Sequence, residues 1–433
     1  MRFQRILRLG LFQLAAGALS VLFLGVLNRV MRVELGLDLL TVTVLVGGGH
    51  YLGALIAIPF GYYSDRHPIA GFRRTVYILL GSLVAIVVLV SSPSLVRWIA
   101  EQPDGGRIAT GFFFFLLEGI STYIAGTAYL SLITDLTEQD ERGQVTGWVW
   151  TLLMVGIIFT GILSGFALEP YSIERVMLLF ILAAGTVLVL TLIALAGQEP
   201  KTSSLPSEDR ENLRGAFSTI LNNQQARWFG AFLFLSMFSY FMQDVLLEPF
   251  GGDVFALSPA ETTRFNAYMG LGVVAAMLVG GIYLVPRRGK PWTTSFGVVL
   301  MALSFGGLAA SSILEFSAAL PLVILILGVG SGFFTVGGVA LMMDMTSTAH
   351  TGMFVGAWTL VQAIAKGPTA IVGGALYTGL ASVGLTVGQA YAGVFIIEAG
   401  GLLVSLLFLR RVTVEEFKHS LESFGKVAAE ALQ

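Results

Sequence analysis

Gly61-Tyr62-Tyr63-Ser64-Asp65-Arg66, followed by Gly71-Phe72-Arg73-Arg74, stands between two long apolar runs, the second and the third from the N-terminus. Each part has a physical use in a loop that joins two membrane helices. Gly61 lets two helices approach closely, and Asp65 can cap or pair near a neighbouring helix end. Arg66, Arg73 and Arg74 hold the loop on the cytoplasmic side of a bilayer. As bare topology charges these residues would need no particular spacing. The acid, the two glycines and the basic cluster instead stand together immediately after the second apolar run.

The rest of the chain fits a bilayer. Of 433 residues, 55% are hydrophobic and 12% are charged, and the mean hydropathy is +0.81. A soluble domain carries roughly 25% charged residues, so water is not the main solvent. A net charge of -2 excludes a nucleic-acid partner, which would demand a basic face. With no cysteine, disulfides, thiolate nucleophiles and cysteine-ligated metals are excluded. The start, MRFQRILRLG, places basic residues before an apolar run as a signal peptide does. The run continues to Val30 without a small-residue cleavage pattern, so it reads as a retained first helix.

Apolar runs place spans at 9–31, 39–62, 74–92, 109–133, 145–168 and 173–196, then at 228–250, 264–285, 292–312, 319–343, 352–378 and 389–410. About 20 residues cross a bilayer, so the length accommodates these twelve. Between the sets lies a polar linker with Pro200, Pro206 and Ser207-Glu208-Asp209-Arg210-Glu211. Counted by alternate loops, eighteen Lys and Arg fall on the side of the N-terminus and six on the other. Both termini are therefore expected in the cytoplasm. An internal repeat accompanies this plan. Asp135-Leu136-Thr137, Gly143, Gly147 and Trp148 follow the fourth span, and Asp344-Met345-Thr346, Gly352, Gly356 and Trp358 follow the tenth. The Asp-to-Gly and Gly-to-Gly spacings, eight and four residues, agree in the two copies, and the Trp slips by one. Duplicated six-helix halves are a transporter architecture with binding sites near the midplane.

The loop that begins at Gly61 resembles the signature of the major facilitator superfamily, and Asp135 with Glu141-Arg142-Gly143 resembles that superfamily's loop after its fourth helix. The matching loop of the second half, Val285-Pro286-Arg287-Arg288-Gly289-Lys290, keeps the basic residues and has no acid. The resemblance implies an all-α integral membrane protein of twelve transmembrane helices in two pseudo-symmetric halves. The expected units are residues 1–197, a cytoplasmic linker 198–227, residues 228–410, and a cytoplasmic amphipathic tail 411–433. In that tail Phe417, Leu421, Phe424 and Ala428 recur at helical spacing. These elements identify a fold and a rocking motion, and say nothing of cargo.

Ionisable groups inside a bilayer are costly and by default functional candidates. They are His50, Glu118, Asp244, Glu248, Lys366 and Glu398, with Asn28-Arg29 closing the first span. Asp244 and Glu248 are four apart and share a helix face. An ion pair from Arg29 to either would close the outer side between the halves. The alternative leaves Arg29 and Glu248 solvated among headgroups. Gln243, Asp244 and Glu248 form an acceptor-rich set, and Pro249-Phe250-Gly251-Gly252 is expected to end the seventh helix irregularly. That segment is expected to pack on Asn28-Arg29, as a gate or as a wall of a binding site. His50 follows Gly47-Gly48-Gly49, which permit close approach of a backbone or of a flat ligand. It is either hydrogen-bonded to a neighbouring helix or an axial ligand to a chlorin's magnesium. Lys366, before Gly367-Pro368, is expected to neutralise Glu398. His67, His350 and His419 fall in loops or the tail. No G-x-S-x-G, H-E-x-x-H or G-x-x-x-x-G-K-[ST] pattern occurs, so the chain is not expected to be an enzyme or to be driven by ATP alone.

Two stretches narrow the resemblance. They are Gly25-Val26-Leu27-Asn28-Arg29-Val30-Met31 with Glu34-Leu35-Gly36, and Met242-Gln243-Asp244-Val245-Leu246-Leu247-Glu248-Pro249-Phe250-Gly251-Gly252 with Val254-Phe255 and Glu261-Thr262-Thr263. Both are similar to the PucC-type family, the bacteriochlorophyll delivery and light-harvesting complex assembly branch of the facilitators. The Asp65-Arg66 loop is of a more ordinary facilitator form than that branch suggests, which leaves room for altered cargo. The resemblance implies a photosynthetic (intracytoplasmic or thylakoid) or plasma membrane and antenna polypeptides or pigment-synthesis enzymes as partners. It also implies chlorophyll or bacteriochlorophyll as bound cargo. Phe112 to Phe115 and Phe333-Phe334 would suit an apolar pigment groove. Two other readings stand beside it: a proton-coupled transporter of a small organic solute using Glu118 and Asp244, and a scaffold that binds partner helices through Gly156, Gly161 and Gly165.

Overall fold

The structure, a computed structural model, describes residues 3–55, 67–137, 142–201, 223–345, 358, 361–362 and 364–417. Gly61, Asp65, Arg66 and Glu141 lie outside the described residues, as do Gly352 and Gly356, the linker residues 202–222 and the tail from 418. Arg142 opens a helix, but its side chain is likewise outside the description.

The described chain is helical, because in hydrocarbon each backbone donor and acceptor must be satisfied within its own segment. The helices are α1 (Gln4–Glu34), α2 (Leu39–Leu55), α3 (Thr75–Glu101), α4 (Gly105–Leu136), α5 (Arg142–Ala167) and α6 (Ile173–Leu195). After the linker come α7 in two arms (Gln224–Val245 and Leu247–Phe255, bent by 48°), α8 (Pro259–Arg288), α9 (Lys290–Ile313), α10 (Leu320–Asp344), α11 (Thr369–Ser382) and α12 (Val387–Leu409). Among the described residues nine helices are long and apolar enough to cross a membrane, and the two arms of α7 together make a tenth. The described parts of α2 and α11 are shorter and adjoin undescribed residues.

Short polar caps start the helices that begin at the end of the bundle where α1 finishes, here called the distal end. The Asp38 carboxylate accepts from the Thr41 N–H, and Asp104 accepts from the amides of Gly106 and Arg107. Ser258 with Glu261 and Thr386 with Gln389 form reciprocal capping boxes on α8 and α12. The third span, expected to stop near residue 92, runs to Glu101. Pro93 lacks the N–H that the Leu89 carbonyl would receive, and the Ser92 hydroxyl donates to that oxygen instead at 2.8 Å.

Packing repeats six helices on. α3 packs on α4 and α6 as α9 packs on α10 and α12, and α1 packs on α6 as α7 does on α12. Contacts of α5 with α8 and of α2 with α11 join the first six to the last six. Two crossings depend on glycine. Gly53 of α2 meets the backbone of Gly119 on α4, and six helices on Gly272 of α8 meets that of Gly328 on α10. The repeated aspartates acquire a role here. Asp135 at the end of α4 pairs with Arg74 at 3.2 Å, and Asp344 at the end of α10 pairs with Lys290 at 2.7 Å. In each half an acid at the end of the fourth helix thus holds a basic residue at the start of the third.

Candidate functional site

The bend in α7 organises the distal end. Its first arm closes in a 3-10 turn, Met242–Val245, and the helix resumes at Leu247. The helix was expected to end at Pro249. Instead Pro249 lies in the first turn of the second arm, where a missing N–H costs little, and the irregular stretch lies before it. Proline offers no donor to the carbonyl four residues back, which is Val245. Asn28 of α1 fills that place, donating its Nδ2 to the Val245 oxygen at 2.5 Å in a buried contact. The expected packing of this segment on Asn28-Arg29 is therefore present.

The expected ion pair is not formed. Arg29 gives one nitrogen to Glu34 at 2.5 Å and another to the Leu257 carbonyl at 2.5 Å, just past the second arm. Glu248 turns to α8, accepting from Asn266 Nδ2 at 2.6 Å and Thr263 Oγ1 at 3.5 Å, and it lies over Gly25 where a side chain would collide. Asp244 accepts from the Tyr51 hydroxyl at 2.5 Å and from the Gln243 amide. The bridge between α1 and α7 is made by residues that the sequence reading passed over. Arg32 pairs with Asp253 at 2.7 Å, Tyr391 of α12 donates to the same carboxylate at 2.8 Å, and Arg32 also reaches the Tyr377 hydroxyl at 3.4 Å. The available signal was spacing. Arg32 is one turn beyond Arg29, and Asp253 follows Gly251-Gly252 on the arm already singled out.

Deeper in the bundle, His50 Nδ1 meets Glu118 Oε2 at 2.6 Å, and Thr122 donates to the other carboxylate oxygen at 2.8 Å. The rings of Tyr51 and Tyr123 stand 5.3 and 5.4 Å from the imidazole. Histidine hydrogen-bonded to a neighbouring helix is thus what the structure shows, and Glu118 belongs to that contact. Lys366 does not neutralise Glu398. Its ammonium sits 3.5 Å over the Phe241 ring, and neither oxygen of the buried Glu398 has a hydrogen-bond partner among the described residues. An unsatisfied buried polar group costs about 1–3 kcal/mol. Glu398→Met is therefore expected to raise the thermal midpoint of the purified protein, and a lowered midpoint would reveal a partner for the carboxyl.

Of the two readings of Gly47-Gly48-Gly49 the close approach of neighbouring helices holds, and two further expectations about surfaces are corrected. Gly47, Gly48 and Gly49 face Ala370, Ile371 and Phe115, so neighbouring helices and not a flat ligand fill the space. Phe115, Phe333 and Phe334 are buried in helix packing while Phe113 is 66% exposed, so these rings line no shared groove. Gly156 is taken by α1, and Gly161 and Gly165 by α8, so this face of α5 is used within the chain. On the N-terminal side, Gly71 adopts a φ of +82° that favours glycine. Arg73 and Arg74 offer their backbone N–H groups to Glu199, at 2.6 and 3.0 Å. Among the described residues no group of three or more His, Asp or Glu could hold a metal ion.

Six-on repetition of the packing, with contacts that join the first six helices to the last six, defines a membrane protein of the major facilitator fold. A crystal structure of the nucleoside transporter NupG, in a point-mutant form, superposes with a TM-score of 0.72 at 15% identity, over 94% of this chain and 99% of that one. The family model described as PUCC protein matches residues 26–417, and the chain belongs to that family. One relative, from Rhodobacter capsulatus, is named bacteriochlorophyll synthase 44.5 kDa chain. It is 32% identical, over 85% of this chain and 86% of its own. Protein PucC of Cereibacter sphaeroides is 29% identical, over 94% and 91%.

Proposed function

We propose that this chain is an assembly factor for photosynthetic antenna complexes that binds or delivers a chlorophyll-type pigment through its facilitator cavity. Family membership supports the setting, and one observation carries the reading: the His50–Glu118 pair. A carboxylate on one ring nitrogen fixes the tautomer and the ring orientation and raises the basicity of the other. Here Glu118 takes Nδ1, and among the described residues nothing hydrogen-bonds Nε2. The His50 side chain is 13% exposed, so it is not sealed in the core. An imidazole presented in this way suits the axial position of a chlorin magnesium, with the pigment as cargo. His50 would hold the metal, Glu118 would orient His50, and Thr122 would steady Glu118. A chlorin with a hydrocarbon tail already prefers the bilayer, so such a site needs lateral access more than an aqueous channel. The excess of Lys and Arg on the side of the N-terminus supports cytoplasmic termini, and antenna polypeptides or pigment-synthesis enzymes are the partners this reading expects.

Protein purified gently from pigment-making membranes is expected to carry chlorin absorption bands in the peak that contains the chain. Glu118→Gln, which weakens the orienting bond, should lower pigment affinity about tenfold, and His50→Leu should remove the bands. Full pigment retention in His50→Leu would refute the assignment. So would a pigment-free chain that drives proton-coupled uptake of a solute into liposomes.

A further inference from the structure

The break in α7 carries a carboxylate held from across the bundle, beside an ammonium that no acid holds. Asp244 lies in the Met242–Val245 turn. One of its oxygens accepts from the Tyr51 hydroxyl of α2 at 2.5 Å, a bond between the first six helices and the last six, and the other accepts from the Gln243 amide. Lys366 stands just before Gly367-Pro368 and α11, where the Thr369 hydroxyl donates to its carbonyl oxygen at 2.7 Å. Its ammonium rests 3.5 Å from the centre of the Phe241 ring and makes no hydrogen bond or ion pair among the described residues. Phe241 directly precedes the turn that holds Asp244, and Asp244 is the acid whose charge acts on Lys366 across the gap. His50 and Glu398 also lie within electrostatic reach of Asp244.

A cation inside a bilayer is costly and as a rule is kept with a partner. The face of a phenylalanine ring compensates it only in part. An acid this near would ordinarily pair with it, but both oxygens of Asp244 are already taken. Asp244 and Lys366 both belong to the last six helices, so rocking of one six-helix set against the other leaves their separation unchanged. The same motion parts Tyr51 from Asp244. The distal end is closed in this structure: Gly47 of α2 abuts Ala370 of α11, and Gly374 has no room for a side chain beside Thr43. Opening at that end draws α2 away from α7 and strips Asp244 of the Tyr51 hydroxyl.

We propose that Asp244 exchanges partners as the bundle rocks, bonded to Tyr51 while the distal end is closed and paired with the Lys366 ammonium when that end opens. Lys366 is then a positioning residue that stabilises the open state, and the Phe241 ring is where it rests in the closed one. The exchange keeps the carboxylate compensated in both states, which gives a reason for an unpaired lysine at this depth. It concerns the motion of the bundle and does not depend on what cargo the central cavity carries.

The test follows distal opening in the full chain through the labelling rate of one cysteine introduced at Leu37, which is buried at that end. Tyr51→Phe weakens the closed state alone and is expected to speed labelling. Lys366→Met is expected to slow it about tenfold, because the open state loses its ion pair while the closed state loses only a ring contact. Lys366→Arg keeps the charge and should keep most of the rate. In Asp244→Asn, which has no charge to compensate, Lys366→Met should have no further effect. A lysine with a merely structural role would lower the thermal midpoint without slowing the labelling. Labelling that is unchanged by Tyr51→Phe, unchanged or faster in Lys366→Met, or slowed equally by Lys366→Met in the Asp244→Asn background would overturn the proposal. If Lys366→Met does not fold, Lys366→Gln removes the same charge and carries the same expectations.

Discussion

Arg32→Ala is expected to loosen the distal end of the bundle and shift the protein towards states open on that side. The bridge to Asp253 is 2.7 Å long, with side chains 20% and 12% exposed. It ties α1 to the second arm of α7, elements on opposite sides of the pseudo-symmetric packing. Removing one partner of a largely buried pair costs about 3–5 kcal/mol, because the remaining charge is left uncompensated. That cost falls only on the state in which the two arms touch. At 1.4 kcal/mol per factor of ten, the balance between closed and open would move on the order of a hundredfold or more. Asp253→Asn leaves the Arg32 charge uncompensated in turn and should shift the balance in the same direction. The chain contains no cysteine, so a single cysteine at Leu37 or Ala390, both buried at this end, reports opening directly. Labelling from the distal side should accelerate in Arg32→Ala and return towards its starting rate in the charge swap Arg32→Asp with Asp253→Arg. Unchanged labelling in the single variant would remove the bridge from any gating role.

That bridge also marks where sequence reading stops. Hydropathy and repeat spacing suffice for the existence of the ten spans found among the described residues, for the likeness of the Asp135 and Asp344 segments, and for the approach of α1 to the break in α7. Those features depend on residue type along one chain. The identity of a salt-bridge partner depends on side-chain direction after the chain has bent. Arg29 and Arg32 lie three residues apart, and the π-helical turns of α1 together with the 48° bend of α7 decide which of them meets an acid across the gap. Glu34 and the Leu257 carbonyl take Arg29, which leaves Asp253 to Arg32. Lys366 and Glu398 illustrate the same limit, since adjacency of two helices in order did not bring their side chains together. His50 was legible as a helix-to-helix contact, but only the fold supplies Glu118 as the group that orients it.

The second large effect concerns a single backbone oxygen. Asn28→Leu keeps the approximate volume and removes the donor that satisfies the Val245 carbonyl at 2.5 Å. The Asn28 side-chain oxygen has no partner to lose, so the substitution isolates that bond, apart from a weaker one to the Leu24 carbonyl at 3.2 Å. An unsatisfied buried carbonyl costs about 1–3 kcal/mol, and no water is at hand in hydrocarbon to repair it. The variant should show a lowered thermal midpoint. Pro249 is the reason the oxygen is free, so Pro249→Ala supplies an N–H four residues on and offers α7 its own remedy. Asn28→Leu with Pro249→Ala should therefore recover a good part of the loss, although Pro249→Ala alone gains little while Asn28 already occupies the oxygen. The chain contains its own control. In α3 the Leu89 carbonyl freed by Pro93 is served within the helix by Ser92, so Ser92→Ala should be rescued by Pro93→Ala in the same manner. Rescue in α3 without rescue in α7 would mean that the bend at Met242–Val245 holds Val245 out of reach of residue 249. The contact with α1 would then be fixed by the packing of the two arms and not by the proline.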